Sequence, residues 1–292
     1  MPESPERLDV PSLLQRKRNG EKVVMLSVPD YPHAIWAERA GIEMVVVGDS
    51  LGMTVYGYAN TLPVTIEEMV SHTGAVRRGA PNTFCLAAMP YGSFATPEIG
   101  IRNALRLMQE GGADAVKMQG GRSMQHVISA IAGAGVPVMS HVGLTPHFLH
   151  RLGGFKAQAR TAESAIAVLE DAEAIEAAGA IGIEVEAVPA EVARAIEDTV
   201  DIFTFGIGAG HPSCGQALLA ADLLGEFDRF QPKFSKRYAN FADLAVEAIA
   251  DYAREVLAGS FPDDEHSYHM RKGEVEKLQS LLAGRSGAPA SE

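Results

Sequence analysis

Several apolar stretches of this chain end in side chains that can move protons or hold an anion. Gly48-Asp49-Ser50 follows Val45-Val46-Val47. The runs Val116-Lys117-Met118-Gln119-Gly120-Gly121, Ser140-His141-Val142-Gly143 and Ile183-Glu184-Val185-Glu186 repeat the pattern. A charged group inside an apolar run is costly unless it is paired or used. Carboxylates, an ammonium and an imidazole that converge would form a small polar pocket suited to acid–base chemistry. That pattern points to an enzyme ahead of a simple binder.

Each residue also has a purely structural reading. Asp49 or Ser50 could cap a following helix. His141 could be a satisfied core histidine, Lys117 half of a structural ion pair, and Glu186 a structural carboxylate. Gly206-Ile207-Gly208-Ala209-Gly210 lacks G-x-G-x-x-G spacing, so it reads as a tight loop rather than a phosphate cradle. His72, His126, His147 and His150 show no ligand spacing and read as surface or packing residues.

The elements that must position these groups alternate along the chain. Strands are expected at Val23–Val28, Met44–Gly48, Phe84–Met89, Ala115–Met118, Val136–Ser140, Gly182–Val185 and Asp201–Gly206, with a weaker eighth near Phe230–Phe234. Helical stretches such as Ala162–Ala178 and Glu191–Thr199 lie between them. Gly41, Gly111, Gly112, Gly135 and Gly179 fall where helices should stop. Repeated strand-then-helix order implies a parallel sheet. Eight such units in about 250 residues favour a single α/β domain, a (βα)8 TIM-type barrel, with a doubly wound sheet as the alternative. The polar groups would then sit at the carboxyl ends of the strands, where such barrels carry their sites. The barrel domain is expected over residues 11–270, after a flexible segment 1–10. A polar tail, 271–292, is expected to hold one short helix (Gly273–Leu282) before a disordered end.

Composition fits this reading. The 292 residues are 47% hydrophobic, ample for a core. A net charge of −12 argues against nucleic acid, whose phosphates attract clustered Lys and Arg. Cys85 and Cys214 show no metal or redox spacing, so a reducing compartment is expected. The N-terminus MPESPERLDV lacks an apolar core for a secretory signal, and no apolar run reaches the roughly 18 residues of a membrane span. A cytoplasmic location is the resulting expectation.

The blocks VVVGDSLGMTVYGYANTLPVT, HTGAVRRGAPN, VPVMSHVGLTPH, GGFKAQAR, FGIGAG, PKFSK and DDEHSYH resemble the ketopantoate hydroxymethyltransferase family, from about Ser12 to Tyr268. Its wider relatives are the phosphoenolpyruvate mutase and isocitrate lyase barrels. The resemblance implies an α-keto acid substrate, 3-methyl-2-oxobutanoate, with Mg²⁺ polarising its carbonyl. A carboxylate removes the adjacent C–H proton, and the enolate attacks the methylene group of methylenetetrahydrofolate. It also implies a large homo-oligomer, typically a decamer. By the same resemblance, Glu186 matches the general base and Asp49 one metal carboxylate. Ser50, Lys117 and His141 match groups that hold the keto acid, and Tyr31 an aromatic beside the pocket.

Two positions depart from that pattern. Ala88 stands where the family has a metal-binding aspartate, and Gln119 where it has a glutamate of the metal shell. Gln119 offers only a neutral carbonyl oxygen. A shell reduced from three carboxylates to Asp49 alone should hold a divalent cation far less well. A third departure is Glu184, where the family has an apolar residue. Two residues before Glu186, it should also face the barrel interior, as Lys117 should two residues before Gln119. Strands four and six supply one interior layer, so a buried Glu184–Lys117 pair is expected.

Three functions follow. The first is the family's hydroxymethyl transfer with a weakened metal site. The second is another enolate reaction on a different keto acid (decarboxylation, tautomerisation or carbon–carbon cleavage), with Lys117 and His141 stabilising the oxyanion. The third is a catalytically silent binding paralogue, against which the joint retention of Glu186, Lys117 and His141 argues.

Overall fold

The structure is a computed structural model; it describes residues 7–211 and 213–286. The chain forms two compact units, which meet in sequence between Asn240 and Phe241. The first unit runs α1 (Val10–Asn19), β1 (Val23–Ser27), α2 (Tyr31–Arg39), β2 (Met44–Val47), α3 (Leu51–Thr54), α4 (Ile66–Gly79), β3 (Phe84–Ala88), α5 (Pro97–Gln109) and β4 (Ala115–Lys117). It continues with α6 (Gln125–Gly133), β5 (Val138–Gly143), α7 (Leu149–Leu152), α8 (Ala162–Ala177), β6 (Gly182–Glu186), α9 (Ala190–Thr199), β7 (Phe203–Ile207), β8 (Gly215–Leu219) and α10 (Ala220–Leu224). The second unit holds α11 (Phe241–Ala258) and α12 (Glu274–Ser286).

The eight strands close into a parallel barrel in sequence order, β1 pairing β8. Seven of the expected strands are present within a few residues of their expected ends. The eighth is not at Phe230–Phe234, where Pro232 would remove a ladder donor. It is Gly215–Leu219, separated from β7 by only seven residues (208–214), with no helix between them among the described residues. The barrel domain was expected to end at 270, whereas the compact unit holding the barrel ends at Asn240. Of the segment expected to be loose, 7–9 precede α1, whose cap is the Asp9 side chain, and 1–6 lie outside the described residues. The expected tail helix is α12; residues 287–292 also lie outside them.

Strand periodicity sorts side chains into two cores. Val45, Val47, Cys85, Ala87, Val116, Ile183 and Val185 face outward and pack with helical Met69, Val76, Leu107, Ile131 and Ile196. The intervening residues Met25, Met44, Val46, Phe84, Leu86, Met139, Phe203 and Phe205 fill the barrel, and Leu13 of α1 joins them. Gly215 makes room for this filling: a Cβ there would lie 2.6 Å from the Phe205 ring. The same alternation carries polar groups inward nearer the carboxyl ends. Lys117, His141 and Glu184 occupy interior positions and are buried. Gly41, Gly112, Gly135 and Gly179 take the positive φ that ends a helix at low cost.

Candidate active site

Register brings the charged residues together. In the β5–β6 ladder His141 lies opposite Glu184, and Gly143 opposite Glu186. In the β3–β4 ladder Ala88 lies opposite Lys117. The expected ion pair is formed, with Lys117 Nζ donating to Glu184 Oε1 at 2.6 Å. His141 stands between the two glutamates: Nδ1 is 3.6 Å from Glu184 Oε1 and Nε2 is 3.2 Å from Glu186 Oε2. Neither ring nitrogen makes a well-formed hydrogen bond, although the ring is sealed from solvent. Lys117, Glu184, His141 and Glu186 thus form a chain from the interior towards the rim. Glu186 is its most accessible member.

The backbone fixes where Glu186 points. Gly143 has φ +87°, and a Cβ there would lie 2.2 Å from the Glu186 carbonyl oxygen. That close approach lets the Leu144 N–H donate to the same oxygen at 2.9 Å. Ala187 follows at φ +49°, a conformation that costs a residue with a Cβ on the order of 1 kcal/mol. Its N–H is bonded to the Ile207 carbonyl.

Across the rim, Asp49 bonds a histidine that reads from the sequence as a surface or packing residue. His147 is buried, and its Nε2 lies 2.6 Å from Asp49 Oδ2. Its backbone N–H donates to Gln119 Oε1 at 2.9 Å, and its ring packs near Phe94 and Tyr91. His147 Nδ1 is buried without a hydrogen-bond partner among the described residues. Neither Asp49 nor Ser50 acts as a side-chain cap for α3. Ser50 Oγ instead lies over Gly48, 2.9 Å from where a Cβ would stand. Tyr31 is not brought to this cluster; it opens α2, half-exposed, with its ring against Gly79 of α4.

Charge is balanced locally. Burial opposes ionisation of Asp49, but His147 and Lys117 hold its pKa below the ordinary carboxylate value. Burial likewise opposes charge on Glu184, and Lys117 and His141 outweigh it, lowering its pKa. Burial disfavours the Lys117 ammonium, yet Glu184, with Asp49 and Glu186, raises its pKa. All three are therefore charged at neutral pH. A hollow of the barrel unit, about 480 Å³ and lined by residues such as Leu26, Trp36 and Leu224, contains none of these groups. It lies against β1 and β8 and is apolar.

A sequence model described as "Ketopantoate hydroxymethyltransferase" matches residues 7–264. The chain belongs to the ketopantoate hydroxymethyltransferase family. It is 50% identical to 3-methyl-2-oxobutanoate hydroxymethyltransferase 1 of Methylibium petroleiphilum over 284 residues, 97% of each chain. It is 48% identical to 3-methyl-2-oxobutanoate hydroxymethyltransferase of Alkaliphilus metalliredigens, covering 91% of this chain and 95% of that one. Among solved structures it resembles phosphonopyruvate hydrolase (TM-score 0.59, 15% identity, covering 95% of this chain and 96% of that one). It also resembles 2,3-dimethylmalate lyase, a PEP mutase/isocitrate lyase superfamily member (TM-score 0.56, 17% identity, 95% and 96% covered). At such identities these two show the fold alone.

Ketopantoate hydroxymethyltransferases use a divalent metal and methylenetetrahydrofolate. The residues at the expected metal position do not fit a divalent cation. Asp49 already bonds His147, the Gln119 oxygen accepts from the His147 backbone, and Ala88 has no donor. A second group could hold a metal by geometry: one ligand atom each from His141, Glu184 and Glu186 lie within 4.8 Å of one another. There, however, Glu184 Oε1 is already bonded to the Lys117 ammonium.

Proposed function

We propose that this chain is a hydroxymethyltransferase acting on 3-methyl-2-oxobutanoate, with methylenetetrahydrofolate as the one-carbon donor. Its match to that family over nearly the whole chain supports the reaction class. The observation that carries it to the residues is Glu186 at the mouth of a sealed charged cluster, 3.2 Å from His141 Nε2.

Glu186 takes the proton from C3 of the keto acid. The C–H electron pair forms the C2–C3 double bond, and the carbonyl pair moves to oxygen. Positive and hydrogen-bonding groups at the mouth stabilise that oxyanion, and burial strengthens them. C3 then bonds to the donor's methylene carbon, whose two C–N bonds break. One water supplies the hydroxyl oxygen. Its remaining proton and the proton from C3 go to the two nitrogens of tetrahydrofolate. Asp49, Ser50 and Gln119 line the remaining rim and would orient the substrate; Tyr31 stands apart from them.

The intact base, lysine and histidine favour this reading over a silent paralogue. A homo-oligomer, with the decamer as family precedent, and a cytoplasmic location belong to the same proposal. Purified protein with both substrates should form the hydroxymethylated keto acid and tetrahydrofolate, followed by NMR and absorbance. Enolisation without any product in the presence of the folate would instead favour an enolate reaction on another keto acid.

A further inference from the structure

The cluster at the barrel mouth already contains a cation. Lys117 Nζ bonds Glu184 Oε1 at 2.6 Å and lies close enough to Asp49 and Glu186 for each to favour its charged form. Glu184 pairs with the ammonium directly, and Asp49 and Glu186 act on its charge from farther off. One side-chain oxygen each of Asp49 and Gln119, at the expected metal position, and one of Glu184 is already bonded within the protein. Asp49 Oδ2 and Gln119 Oε1 are bonded to His147, and Glu184 Oε1 to Lys117. Ala88, directly opposite Lys117 in the β3–β4 ladder, contributes no oxygen. A divalent ion among His141, Glu184 and Glu186 would have to displace the ammonium from Glu184 or sit beside it. Like charges at such separations, shielded from water, repel strongly.

We propose that the Lys117 ammonium is this chain's resident cation, standing electrostatically where its relatives use a divalent metal. Glu184 is the positioning residue that holds it there. This inference rests on the enolising reaction proposed above. In that reaction the proton still passes from C3 to Glu186, and the charge developing on the carbonyl oxygen is met by Lys117 rather than by a metal ion. No oxidant or further reactant is required.

The test is the binding of Mn²⁺ alone, read by the loss of its free-ion electron paramagnetic resonance signal. Wild-type protein is compared with Lys117→Met and with Ala88→Asp/Gln119→Glu. Wild type should bind no stoichiometric Mn²⁺, and each variant should bind at least about tenfold more tightly than wild type. Removing the ammonium uncovers the carboxylates; adding two carboxylates outcompetes it. One Mn²⁺ per wild-type chain at micromolar concentration would overturn the proposal, even if Lys117→Met failed to fold. So would a folded Lys117→Met variant with no gain.

Hydrogen exchange at C3 of 3-methyl-2-oxobutanoate gives a second arm. Exchange that survives a chelator supports the resident cation, and exchange that requires added Mg²⁺ refutes it. Absence of exchange under both conditions would sink the substrate assignment, and the Mn²⁺ titration would still decide the cation.

Discussion

Replacing Glu184 with Gln should destabilise the barrel sharply. The pair it breaks is 2.6 Å long, and both side chains are more than nine-tenths buried. Removing one partner of a buried pair leaves an uncompensated charge, at a cost of about 3–5 kcal/mol. Asp49 and Glu186 still face Lys117 after the change, so the low end applies, about 3 kcal/mol. For a chain of this size that is a Tm decrease of roughly 6–12 °C. Lys117→Met alone should cost a similar amount, because it strands Glu184. The double variant Lys117→Met/Glu184→Met loses both charges at once and should unfold within about 1 kcal/mol of wild type. Urea unfolding of the four proteins at pH 7 and equal protein concentration closes the cycle. Single variants within about 1 kcal/mol of wild type, or a double variant equal to the sum of the singles, would refute the buried-pair reasoning.

Three further outcomes follow from the geometry. Gly143→Ala places a methyl group 2.2 Å from the Glu186 carbonyl at a positive φ, so Glu186 must move. Backbone strain of about 1–3 kcal/mol and a lower kcat should appear together, measured by thermal unfolding and turnover. His33 joins Asp30 (2.7 Å) to Glu226 (2.8 Å); burial lowers its pKa, but Glu226 and Asp30 raise it to a net value above the ordinary 6.5. A raised folded pKa stabilises fully below the unfolded value and is lost as pH rises through the folded one, so His33→Gln should lower Tm more at about pH 6 than at about pH 9. Burial raises Asp222 to about 6, Arg237 partly opposing, so the native state disfavours its charge. Asp222→Asn should therefore raise Tm relative to wild type more at about pH 8 than at about pH 4.

Much of the fold was legible because strand and helix periods differ and glycines punctuate them. The eighth strand was missed for a local reason. Gly215–Leu219 is short and follows β7 without the helix that announced every other strand, while Phe230–Phe234 offered an aromatic-flanked but proline-interrupted decoy. Within the site, the Lys117–Glu184 pair followed from parity alone, since residues two apart on a strand share a face. The Asp49–His147 bond did not. It joins residues 98 apart, and His147 sits in a short 3₁₀ turn that carries no periodic signal. Its only cue was its place just past β5, at the barrel mouth. Helix capping by Asp49 or Ser50, the plainer alternative for both residues, fails because their side chains are directed elsewhere.

The central claim is that Glu186 removes a proton from C3 of an α-keto acid. Hydrogen–deuterium exchange at C3 of 3-methyl-2-oxobutanoate in heavy water, followed by NMR without folate, isolates that step. Wild type should exchange the C3 proton, and Glu186→Gln should exchange it at least about 100-fold more slowly while retaining its fold. Exchange by Glu186→Gln at the wild-type rate would contradict the account.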